Sequence, residues 1–273
     1  MIAIVVLLCA WAAHALLAAQ TLPAAPADAA ASTCPSAAAA VRALLASNPR
    51  VVAFGEYHQT EKTARIPSAL RHFTSEILPA LRTAGASDLV VETWITTGSC
   101  GEVERKAVAR VDKTTQRPAS TEDEVVTLLR RAKESGLEPR ILQVVCKDYQ
   151  AIFDGDRLDY DKLLRLTREQ LETQIRAALQ RPGSRLVVSY GGAIHNDLHP
   201  PNDLTYAFGD AIARAVNGKY LEIDLYVPEY IEKDPLIRRE PWYQRYRRAY
   251  RPKLVVVVQR GPGSYALIFP RRR

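Results

Sequence analysis

Short apolar runs recur along this chain, separated by stretches of helical spacing, and that alternation limits the fold more than any single residue does. VVAFG (51–55), DLVVET (88–93), RILQVVC (140–146), RLVVSY (185–190), KYLEIDLYV (219–227), KLVVVVQ (253–259) and YALIFP (265–270) read as strands. The early ones are continuously apolar, as strands buried on both faces are. Between them, residues 66–83 place Leu70, Phe73, Ile77, Leu78 and Leu81 on one helix face. Residues 120–136 open on Ser120 and Thr121 with acids behind them and stop at Gly136. Residues 159–181 form a long amphipathic pattern closed by Pro182-Gly183, and 203–216 form another. Alternation of this kind predicts an α/β fold, a mostly parallel central sheet flanked by helices. RGPGS joins the last two runs, so these are expected as a C-terminal antiparallel hairpin at the sheet edge.

The first nineteen residues, MIAIVVLLCAWAAHALLAA, carry no charged side chain. They read as a secretory signal or an N-terminal anchor, which places the protein in the periplasm or cell envelope. Residues 20–47 read as an Ala/Pro-rich linker with a short helix over 36–47, and residues 48–273 as a single α/β domain. Three cysteines lie beyond the leader: Cys34, Cys100 and Cys146. In an exported chain they imply one disulfide and one free thiol, the pairing being open. No CxxC or CxxH spacing points to zinc.

Charge is uneven. From Lys233 to Arg273 the chain carries a net +10, against +7 overall. Basic residues there interleave with Trp242, Tyr243, Tyr246 and Tyr250. The segment reads first as a solvated face with locally packed aromatics, and second as a contact for an anionic membrane surface or ligand. Nucleic acid is not an expected partner of an exported protein.

In open α/β sheets ligands bind beyond the carboxyl ends of the strands. The first strand is followed by Glu56, Tyr57, His58 and Gln59; the second ends at Glu92; the fourth runs into GGAIHNDLH, with His195 and His199. A carboxylate two residues from an imidazole is what a general base or a divalent-metal site needs. Glu92 closes an apolar strand and so requires a partner. His72, inside a helical pattern, reads as structural, His199 before Pro200-Pro201 as a loop residue, and Cys146 as packing or disulfide rather than nucleophile. There is no GxSxG motif and no phosphate-binding glycine loop.

The ordered set VVAFGEYHQT, DLVVETW and VVSYGGAIHND, from Val51 to Asp197, resembles the superfamily that joins erythromycin esterases, ChaN-like haem-binding lipoproteins and Tiki/TraB-type proteins. The resemblance implies that Glu56, His58, Glu92 and His195 line one pocket at the carboxyl edge of the sheet. Its members differ in chemistry, and two functional readings follow. In one, the chain is an exported hydrolase of an ester or amide bond, acting on a small molecule or peptide. His58 is then general base or metal ligand, Glu56 and Glu92 orient it or bind the cation, and His195 completes the site or stabilises charge. A cation held by all four would be a hard or borderline divalent ion such as Mn²⁺. In the other reading the protein binds haem or iron without catalysis, with Tyr57 or Tyr190 as the iron ligand. A structural envelope domain is the third alternative.

Overall fold

The computed structural model describes residues 3–6, 31–200 and 206–271. Eight strands form one sheet: β1 (Ala31–Cys34), β2 (Val51–Glu56), β3 (Ala86–Val91), β4 (Glu138–Ile141), β5 (Leu186–Gly192), β6 (Tyr220–Tyr226), β7 (Val255–Gly261) and β8 (Ser264–Ile268). Their order is β1-β7-β8-β6-β2-β5-β3-β4. From β8 to β4 every neighbouring pair is parallel, and β7 runs antiparallel to both β8 and β1. The fold is therefore α/β with a mostly parallel sheet.

Helices cover both faces. They are α1 (Ala37–Leu45), α2 (residues 69–83), α3 (Glu102–Thr115), α4 (Ser120–Glu134), α5 (Cys146–Ala151), α6 (Tyr160–Gln180), α7 (Gly209–Ala215), α8 (Pro228–Ile231) and α9 (Pro241–Ala249). Alternate residues of each strand point to opposite faces. Val52 and Phe54 of β2 therefore join Val188 of β5 beneath α1, α2 and α4, while Val51 and Ala53 join Val187 beneath α3, α6 and α7. Within α2 the segment Phe73–Ile77 is π-helical, with the Leu78 N–H bonded back to Phe73 O. Pro79 follows with no N–H to continue the ordinary ladder, which accounts for the bulge.

The layering places the site. The chain leaves β2 through α2, on one face, and leaves β5 through α7, on the other. β2 and β5 are neighbours, so the crevice at their carboxyl ends is a topological switch point.

Four elements differ from the sequence reading. The third strand is Glu138–Ile141, and Cys146 starts helix α5 instead of ending a strand. The C-terminal hairpin is not the sheet edge, because Ala31–Cys34, read as linker, pairs with β7 outside it. Helix α3 lacks a long apolar stripe, and only Ala107 and Val111 of its apolar residues are fully buried. Helix α9 is the basic segment itself, whose aromatics do pack locally: Trp242 lies 4.6 Å from the Tyr226 ring and Tyr246 5.7 Å from that of Tyr250. Residues 1–2 and 7–19 of the expected leader and 20–30 of the expected linker lie outside the described residues; Ala3–Val6 pairs antiparallel with Thr93–Thr96. Among the described residues no helix is long and apolar enough to cross a membrane.

Candidate functional site

β2 carries Glu56 to the sheet edge as its last residue, at 1% exposure, and His58 follows at 6%. His58 Nδ1 lies 2.7 Å from Glu56 Oε1. Arg117, from the loop between α3 and α4, donates from Nη2 to the same oxygen at 2.6 Å and from Nη1 to Gln59 O at 3.2 Å. The Tyr190 hydroxyl, from β5, donates to Glu56 Oε2. Burial alone would push the Glu56 carboxyl up. The Arg117 guanidinium, with the bonds from His58 and Tyr190, outweighs it and holds the group at about 2. An ionised carboxylate only accepts, so the proton of His58 sits on Nδ1 and Nε2 carries the lone pair.

Glu92, one residue past β3, accepts the Gly192 N–H on Oε2 at 2.6 Å, the partner its burial requires. Its Oε1 lies 3.6 Å from His195 Nε2. His195 Nδ1 bonds Tyr206 O at 2.8 Å, which orients the ring, and the Phe208 N–H bonds the His195 carbonyl at 2.8 Å, which holds the backbone. Since a carbonyl only accepts, His195 too presents a lone pair on Nε2. Burial pushes this imidazole down to about 4, and neighbouring His58 adds to the effect. Burial thus favours the neutral form of His195.

The glycines after β5 make the assembly possible. A Cβ on Gly191 would lie 2.5 Å from Glu92 Oε2, and one on Gly192 would lie 2.8 Å from His58 Nε2 and 3.6 Å from Glu92 Oε2. The two glycines are the floor on which the imidazole and the carboxylate converge.

The structure thus brings together Glu56, His58, Glu92 and His195. It adds Arg117, which sequence reasoning missed. The signal was indirect: a buried carboxylate already committed to an imidazole calls for a cation, and Gln116-Arg117-Pro118 interrupts two helical stretches. As a metal set the four do not cohere. Both oxygens of Glu56 are taken by Arg117, His58 and Tyr190. Among the described residues no group of three or more His, Cys, Asp or Glu is placed to hold a metal ion. The two tyrosines expected for haem are not aimed at a common opening. The Tyr57 hydroxyl donates to Asp234 Oδ2, and Tyr190 is buried beneath Glu56 against Phe73, 4.5 Å between ring centroids. His72 stacks on Phe269 at 4.4 Å and bonds Glu76, and exposed His199 bonds Pro262 O at 3.1 Å, both away from the site. Cys146 is disulfide-bonded to Cys100, and Cys34 is free.

No family model matches the chain, and no curated protein matches it. Among solved structures, the type III effector HopBA1 is similar, with a TM-score of 0.43 and 15% identity over 86% of this chain and 93% of that one. A likeness of that size carries no functional argument.

Proposed function

We propose that the protein is a hydrolase of ester or amide bonds in which His58 activates water. The observation that supports this best is the buried Arg117–Glu56–His58 relay. Glu56 fixes the Nδ1–H tautomer and would stabilise the imidazolium formed when Nε2 takes a proton. Arg117 keeps Glu56 ionised through that change. Glu92, held by the Gly192 N–H, and neutral His195 present acceptors on the far side of the same floor, where they would orient the attacking water or a substrate hydroxyl. In this reading the general base acts without a metal, in keeping with the erythromycin-esterase side of the resemblance. The Cys100–Cys146 bond supports an oxidising compartment, and so an exported protein.

The test is a panel of chromogenic esters and amides, wild type beside His58→Ala, before and after chelation with EDTA. Hydrolysis that survives chelation and falls about 10²–10⁴-fold in the variant is the expected result. Activity abolished by EDTA would replace the proposal with metal chemistry. A Soret band in the purified protein, with no hydrolysis, would replace it with haem binding.

A further inference from the structure

Away from the buried Glu/His site, the surface of the described residues is hollowed beside the C-terminal segment. A cleft of about 650 Å³ opens beside the basic C-terminal segment. It is lined by Arg238 and Arg239, on the short 3₁₀ turn Ile237–Arg239, and by Tyr243, Gln244 and Arg247 of α9. Tyr243 and Arg247 are four residues apart and share a helix face. Glu232 is the acid on the walls, and it is already engaged. Its Oε1 accepts from the Tyr246 hydroxyl at 3.4 Å and lies 3.7 Å from Arg247 Nη1, and its Oε2 accepts from Arg271. Arg238 and Arg239 have no ion-pair partner among the described residues. The cleft therefore carries three guanidinium groups against one carboxylate, which is shared between Arg247 and, from outside, Arg271.

The turn that displays the arginines is built into the fold. Asp234 Oδ1 accepts the Leu236 N–H at 2.8 Å and the Ile237 N–H at 3.4 Å, and the Arg238 N–H bonds Asp234 O at 3.1 Å. Asp234 Oδ2 is gripped by the Tyr57 hydroxyl, from between Glu56 and His58. The aromatic side of the cleft is equally fixed, because Tyr243 packs edge-on to Trp242 at 6.1 Å and to Tyr246 at 5.6 Å.

We infer that this cleft binds the phosphate group of an anionic ligand. The cleft is open to solvent, and its volume has room for a small anionic group. Planar guanidinium forks match phosphate oxygens in pairs, which a diffuse basic surface does not achieve. The buried Tyr243 ring offers an apolar wall to whatever carries the phosphate. The same chemistry is found on a soluble phosphate ester and on a phospholipid headgroup. This inference is independent of the hydrolase reading.

The probe is inorganic pyrophosphate, titrated into the full chain by calorimetry at physiological salt. Saturable binding to one site is expected. Arg238→Ala/Arg239→Ala should weaken it about a hundredfold, roughly tenfold for each charge-assisted hydrogen-bonding side chain removed, with an unchanged melting temperature because both side chains are exposed. Lys113→Ala/Lys133→Ala removes the same charge from exposed positions on α3 and α4 and should leave the affinity unchanged. Absence of saturable binding overturns the inference. So does an equal loss in the two double variants, which would mean only general attraction to a basic protein. Co-sedimentation with phosphatidylglycerol vesicles, displaced by pyrophosphate, would identify a lipid headgroup; pyrophosphate binding without vesicle binding would identify a soluble ligand.

Discussion

Arg117 decides the state of the candidate site more than its histidines do. Without it, Glu56 would be a buried carboxylate with only neutral donors. Arg117→Met should destabilise the protein by about 3–5 kcal/mol, the usual effect of stranding a buried charge. It should also move the acid limb of any hydrolytic pH profile upward, as Glu56 loses the cation that holds it near 2. Urea unfolding and a pH–rate profile together check this; an unchanged profile would remove Arg117 from the relay. Gly192→Ala is the complementary change. Its methyl would meet His58 Nε2 at 2.8 Å and Cε1 at 3.2 Å, so the ring must move. A displacement of that order is expected to lower the rate about 10²-fold while far-UV circular dichroism stays native.

At the scale of elements, the loop after β5 is held by His195 and by Asn196, which donates to Asp224 Oδ1 at 2.9 Å and Ala53 O at 3.3 Å. His195 titrates at about 4 in the fold and near 6.5 in the unfolded chain. Between those values the unfolded state binds more protons, so stability is complete above 6.5 and falls as pH drops toward 4, by about 3 kcal/mol in all. Glu222, pushed up by burial against the opposing pull of Arg260, with Asp197 and Asp224 adding to the rise, acts with the opposite sign above its unfolded value. The difference between wild type and His195→Gln, followed by urea unfolding at several pH values, therefore isolates the histidine; a constant difference would contradict this account. On the other side of the site, Cys100–Cys146 closes a loop of 46 residues between the segment after Glu92 and helix α5. Cys100→Ser/Cys146→Ser should lower stability by about 2–4 kcal/mol, measurable by denaturant midpoint.

For the whole molecule, the exposed side of the sheet is guarded by a short strand. β1 covers β7, whose run Val255–Val258 is entirely apolar. Deleting residues 31–34 would leave an open edge of high β propensity, and size-exclusion chromatography is expected to show aggregation. A monomeric deletion variant of native stability would show that β1 is dispensable. The same scale explains the two polar regions. The relay lies where helices switch faces between β2 and β5, and the basic cleft lies on the outer turn and α9, joined to it through Tyr57 and Asp234.

The sequence by itself determined the α/β class, six of the eight strands at nearly their observed places, and the four residues at the strand ends. Those follow from local rules: buried parallel strands are continuous apolar runs, and a loop after a strand opens onto the ligand edge. Only the tertiary structure decided the rest. Ala31–Cys34 has no strand signature of its own and becomes one by pairing with β7. Arg117 is 61 residues from Glu56, and no periodicity links them. The division of labour among Glu56, His58, Glu92 and His195 depends on which oxygen and which ring nitrogen each partner reaches. Residue identity and spacing leave those distances free; the stacking of β2, β5 and β3 fixes them.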